Sequence, residues 1–135
     1  MSAKQIIKDF YNSDFLRDKT VIDRFFHPEV EFIWNSTDGL TVMHLEDLKA
    51  TFSEISRTYN DLRIEVSHVL EDEGVVTTRY KYYVRTVENP EEELGIAHFI
   101  SIWHIKDGKL HRGYQVSQPA SISDDTDGSY EKVKV

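Results

Sequence analysis

The sequence predicts an α+β domain in which helices cover one face of a mostly antiparallel sheet. Three observations carry that expectation. Apolar residues recur at helical spacing in the N-terminal part of the chain, and from Leu62 onward they fall at alternate positions. Asp107-Gly108, set between two apolar runs, is a short hairpin signal.

The elements follow in order. Ser2 with Gln5 three positions later reads as a capping box, and Ile6, Ile7, Phe10, Tyr11 and Leu16 place a first helix over about residues 3–16. Asp18 can cap a short second helix carrying Val21, Ile22, Phe25 and Phe26, and Pro28 stops it at His27. "VEFIW", 30–34, is a strand and "NSTDGLT" a turn-rich loop. Leu48, Phe52, Ile55 and Tyr59 mark a third helix starting at Glu46, which Asn60-Asp61 ends. Leu62, Ile64 and Val66, an "EDEG" turn and the run from Val75 to Val87 form a long hairpin. "HFISIWHI" and "KLHRGYQVSQP" are the last two strands. Residues 1–119 are expected to form one domain. The tail 120–135 brings back Tyr130, Val133 and Val135 at its end, and is expected to add an edge strand to its own sheet or a partner's.

Composition narrows the function. Asp and Glu outnumber Lys and Arg by 24 to 16, and the resulting charge of -8 argues against nucleic-acid and membrane partners. There are no cysteines, so disulfides, thiolate metal sites and cysteine nucleophiles are excluded. The N-terminus lacks the apolar stretch of a signal peptide, and a soluble cytoplasmic protein is expected.

"YNDLRIEVSHVLEDEGVVTTRY", 59–80, resembles the helix end and hairpin of SnoaL-like polyketide cyclase relatives, and "FISIWHIKDGKLHRGYQ", 99–115, resembles their last two strands. The resemblance spans roughly residues 4–118. It implies the nuclear transport factor 2-like fold: a cone-shaped, strongly curved, mostly antiparallel sheet with three N-terminal helices on its concave face. It also implies one pocket between helices and sheet.

Alternation sorts the candidate lining. Val76, Thr78, Tyr80, Tyr82 and Val84 form the more apolar parity of their strand and should face inward, opposite Arg79, Lys81 and Tyr83. The resemblance places Ala97, Phe99, Ser101, Trp103 and Ile105 inside, with His98, Ile100, Ile102 and His104 outside. A two-residue turn at Asp107-Gly108 sets His104 opposite His111 and sends Gln115 and Ser117 outward. Relatives have those two positions facing the cavity, so a bulge at Arg112–Gly113 is expected, since glycine within a strand commonly marks one.

The resemblance also locates catalytic groups. The steroid isomerase branch has its base, tyrosine and acid at positions that are here Trp34, Phe10 and Ser101. Cyclase relatives place a His and an Asp where this chain has Gly113 and Gln115. None of these ionisable groups is present. Proton abstraction needs a group that titrates near working pH, which Ser, Gln and Trp do not. The remaining catalytic candidates are Tyr80 or Tyr82 as oxyanion donors and His44 as a base at the cavity mouth. For metals, His98 and His104 lie too far apart along one strand to share an ion, and His104 with His111 lacks a third ligand, so neither metal nor cofactor is expected.

The leading expectation is a pocket for a small, mostly apolar ligand. Phe10, Trp34, Tyr80, Tyr82, Phe99 and Trp103 supply its walls, and Ser101, Gln115 and Ser117 its hydrogen bonds. One alternative is a cofactor-free isomerase, cyclase or hydrolase working through Tyr and His. Another is an assembly module: Tyr83, Ile100, Ile102, Tyr114 and Val116 form an outward apolar patch, and a homodimer through it is expected.

Overall fold

A computed structural model describes residues 2–120, so the expected edge strand in the tail lies outside the described residues. The elements are α1 (Ala3–Tyr11), α2 (Val21–Phe25), β1 (Phe26–Ser36), β2 (Gly39–Met43), α3 (Leu45–Thr58), β3 (Tyr59–Asp72), β4 (Val75–Thr86), β5 (Glu93–Lys106) and β6 (Lys109–Pro119). The α+β class holds. Six strands form one curved sheet in the order β2-β1-β6-β5-β4-β3, with β1 and β6 its one parallel pair. α1 packs on β3 and β4, while α3 packs on β1, β2 and β3.

Several boundaries differ from expectation, each for a local reason. Ser2 Oγ accepts the Gln5 N–H at 3.1 Å, starting α1 as predicted, but the helix ends at Tyr11 and the chain turns through Ser13 so that Phe15 reaches the core. Pro28 does stop α2, yet it sits inside β1. It falls where the β1–β6 register is broken, between Phe26 and Glu31, and a missing N–H costs no ladder bond there. The predicted loop at 35–41 is instead a turn followed by β2, made tight by Gly39 at φ 99°. α3 starts at Leu45, with the His44 N–H donated to Asp47 Oδ2 at 2.9 Å.

The bulge in β6 exists one residue earlier than predicted. His104 pairs with Arg112 and Ile105 with Leu110, which leaves His111 as the extra residue. His104 and His111 are therefore not cross-strand partners. The bulge reverses parity beyond it, so Gln115 is buried and Ser117 half-buried, while Tyr114 and Val116 point outward.

Gly113 has a different task from the one expected of it. In register it lies between Phe32 of β1 and Trp103 of β5, whose rings lean over it and stack at 5.2 Å and 13°. A Cβ here would lie 2.6 Å from both Phe32 Cδ1 and Trp103 Cζ3. Gly113→Ala is therefore expected to destabilise the fold by about 1–3 kcal/mol by overpacking, read as a lower midpoint in urea denaturation.

Candidate functional site

Between α1, α3 and the concave sheet face lies a chamber of about 90 Å³. Its walls include Phe10, Trp34, Tyr80, Tyr82, Phe99 and Trp103, and Gln115 stands among them. The aromatic rings contact one another closely. Tyr80 stacks on Phe99 at 5.0 Å, Tyr82 meets Phe99 at 4.4 Å, and Phe10 meets Phe26 edge-on at 5.2 Å. Tyr11, Phe32, Met43, Leu48, Phe52 and Ile55 also line the chamber without having been singled out for it. Tyr11 was legible as an inward position of α1, but not as a hydrogen-bonding one.

Two polar clusters sit within this apolar shell. Tyr11 OH shares a hydrogen with Thr78 Oγ1 at 2.8 Å and accepts the Trp103 indole N–H at 3.2 Å. Gln115 Oε1 accepts both the Tyr80 hydroxyl at 2.7 Å and the Ser101 hydroxyl at 2.8 Å. Ser101 is fully buried and does not itself line the chamber; it supports Gln115 from behind. Each hydroxyl has one hydrogen to give, and Gln115 takes both. Both of these bonds use the amide oxygen; no buried side-chain nitrogen among the described residues is without a partner, so the amide nitrogen keeps some exposure, and Gln115 lines the chamber.

The chamber wall does not titrate near neutral pH. Its ionisable side chains are Tyr11, Tyr80 and Tyr82. Desolvation pushes Tyr11 up to about 12 against the opposing pull of its hydrogen bonds. It raises Tyr80 well above the ordinary phenol value, helped by Tyr11 and Tyr82 nearby, and raises Tyr82 likewise.

Ser117 lies farther out. Its Oγ accepts the Trp34 indole N–H at 2.8 Å, and both residues line a mouth of about 290 Å³. The mouth and the chamber share Trp34, Ile55, Tyr82 and Phe99.

His44 does not overhang either space. Its side chain is 64% exposed at the start of α3, 3.9 Å from Glu31 and 3.8 Å from Asp47. His27, Glu29 and His111 are the one cluster of three metal-type ligands among the described residues, with donor atoms within 4.8 Å of one another. His27 Nδ1 accepts the Glu29 N–H at 3.0 Å, which puts the neutral ring's proton on Nε2, 3.3 Å from Asp107. Both ring nitrogens are thus engaged, and the cluster ties the start of β1 to the β5–β6 hairpin.

The family is decided by sequence. Residues 8–113 match the SnoaL-like domain family. The chain belongs to that family. No curated protein matches this SnoaL-like chain in sequence. Among solved structures, IdmH from Streptomyces antibioticus, a candidate polyketide cyclase, superposes with a TM-score of 0.72 at 12% identity, covering 87% of this chain and 92% of its own. AusH from Aspergillus nidulans gives 0.71 at 14%, covering 93% and 94%. A protein of ketosteroid isomerase-like fold from Catenulispora acidiphila, solved with trimethylamine, gives 0.64 at 8%, covering 81% and 82%. At these identities the likeness is one of fold, and it agrees with the nuclear transport factor 2-like architecture. No helix among the described residues of this SnoaL-like domain is long and apolar enough to cross a membrane.

Because burial raises the three tyrosines in the folded state, they favour folding below the ordinary phenol range, near pH 10. That contribution is lost as pH rises through their folded values. Stability is expected to fall above about pH 10. Absorbance at 295 nm is expected to reach the value for all seven tyrosines only as circular dichroism records unfolding.

Proposed function

We propose that this SnoaL-like domain binds a small, mostly apolar molecule carrying a hydrogen-bond acceptor such as a carbonyl oxygen. The observation behind this is the Gln115 amide, offered to an otherwise aromatic chamber after its own oxygen has been saturated by Tyr80 and Ser101. No buried side-chain nitrogen or oxygen among the described residues lacks a partner, so this amide nitrogen keeps some exposure on the chamber, and a ligand acceptor there gains a hydrogen bond in an otherwise apolar surrounding. At roughly 30 Å³ per water the chamber holds about three waters, so it receives the head of a ligand whose body extends beyond it. The candidate polyketide cyclase among the structural neighbours is in keeping with small-molecule use of this fold.

Catalysis through His44 with Tyr80 or Tyr82 has less support. His44 faces solvent beside Glu31 and Asp47, and the tyrosines are held neutral. The hydroxyl hydrogen of Tyr80 is already committed to Gln115.

A second reading concerns the outer sheet face, where Ile100 and Ile102 of β5 stand in register with Val116 and Tyr114 of β6. Ile33 of β1 pairs with Tyr114, and Val42 of β2 with Ile33, so the apolar band crosses four adjacent strands. Ile100 is 45% exposed, Val116 53% and Val42 47%. With Leu40 beside them, itself exposed, these side chains form a contiguous exposed apolar band of the kind that on soluble proteins often marks an interface. A second copy, presenting the same band about a two-fold axis, is the occupant we propose; Tyr83 lies outside it, beneath the Arg63 guanidinium at 4.4 Å.

Two measurements test these readings. By calorimetry, acetophenone is expected to bind about fivefold tighter than α-methylstyrene, which has a CH2 group in place of the carbonyl oxygen, as one net hydrogen bond would give. Gln115→Glu keeps the acceptor for Tyr80 and Ser101, and burial raises its carboxyl, so the preference should vanish once the pH is high enough to ionise that group and present a carboxylate oxygen to the ligand. Equal binding of both probes by the unmodified protein would overturn the acceptor reading. For the outer face, sedimentation equilibrium at micromolar concentration is expected to give a dimer that Ile102→Glu converts to monomer.

A further inference from the structure

We propose that the groove on the far side of Phe52 is a second compartment of the ligand site, taking an alkyl or aryl extension of the bound molecule. This inference rests on the reading of the chamber as a ligand pocket. The groove measures about 250 Å³ and runs between the α1–α2 connection and α3. Phe15, Leu16 and Ile22 make it apolar, while Lys19 and Lys49 stand at its rim with Ser53 and Ser56. Lys49 is paired with Asp23 at 3.0 Å. The groove therefore suits an uncharged chain better than an anion.

The two walls of the chamber differ in strength. Toward the mouth, four residues stand in common, and Trp34 is pinned by its bond to Ser117 while Phe99 is stacked against Tyr80. Toward the groove, the one lining residue shared is Phe52. Its ring makes edge-on contacts with Phe10 at 6.4 Å and Phe15 at 5.4 Å. A phenyl ring has no hydrogen bond to lose by turning. The helix that carries it is lightly held as well, since Leu48 is the one fully buried side chain of α3. On this reading, turning the Phe52 ring would join the chamber to the groove, whereas widening the mouth side would disturb a bonded and stacked set.

The compartment gives the ligand a shape. Its acceptor lies at Gln115 in the chamber, and the part of its body that the chamber cannot hold passes Phe52 to lie over Phe15, Leu16 and Ile22. Phe52 then governs the length of chain accepted, and Gln115 the head group.

The test uses alkyl phenyl ketones from acetophenone to hexanophenone, followed by quenching of Trp34 and Trp103, both in the chamber wall and the two tryptophans of the chain. Each added methylene that enters the groove is expected to tighten binding about fourfold. Ser56→Phe, which fills the groove, should flatten the series while leaving acetophenone binding unchanged. Ser36 also lines the mouth, and Ser36→Phe, which fills it, should leave the dependence on length intact. Phe52→Ala should speed association of the longer ketones in stopped-flow traces. If acetophenone binds but affinity does not rise with chain length, or if Ser36→Phe flattens the series and Ser56→Phe does not, the groove is not the compartment and the chamber reading stands. If no ketone binds to either the unmodified protein or Phe52→Ala, the chamber reading falls and this inference with it.

Discussion

The stack of Phe32 on Trp103 over Gly113 is the contact on which the interior depends. Three adjacent strands, β1, β6 and β5, meet at one register position, and the middle strand contributes no side chain. Two large rings occupy the vacated space and join strands that are not themselves neighbours. Such a pair adds about 0.5–1.5 kcal/mol beyond the area it buries. It also fixes the indole, which meets Phe26 at 6.0 Å and donates to Tyr11 at 3.2 Å. The helix α1 is thereby tied to the sheet through a polar contact inside an apolar core.

Hydrogen-bond supply decides what the chamber can do. The inner wall holds tyrosines and a glutamine, backed by a buried serine and threonine, where a titrating acid or base would serve proton transfer. Every hydroxyl hydrogen of the Tyr80–Ser101–Gln115 group points at one carbonyl oxygen, so the group has a fixed polarity with the amide N–H pair as its outward end. Fixed donors of this kind orient a ligand. Proton abstraction would require a group that both faces the chamber and changes charge near neutral pH, and burial keeps the three lining tyrosines from doing so.

Much of this architecture was legible in the sequence, and the exceptions have physical causes. Alternation placed Val76, Thr78, Tyr80 and Val84 inward because β4 is paired on both sides and has one face on the core. β2 escaped notice because it is a short edge strand with only Met43 buried, leaving no alternation to read. The bulge was signalled by Gly113, but the extra residue is His111; the glycine answers to the rings beside it, with no positive φ involved. Lys81 carries outward parity, yet it is 1% exposed because its chain lies across Gly95 and against the Tyr83 ring at 4.8 Å. The bond from Tyr80 to Gln115 links residues 35 apart and depends on strand register, which composition and local pattern do not encode.

The extra residue at His111 works as a reading frame for the last strand. Downstream of it, Gly113, Gln115 and Ser117 belong to the interior, and Arg112, Tyr114 and Val116 to the exterior. Loss of a single residue between Leu110 and Gly113 would exchange the two sets at one stroke. The arginine and the tyrosine would then meet the Phe32–Trp103 stack, and the glutamine would face water. Chamber and outer band are thus two phases of the same eleven-residue strand, so insertions and deletions near His111 alter both surfaces together, whereas point substitutions farther along β6 can alter either one alone.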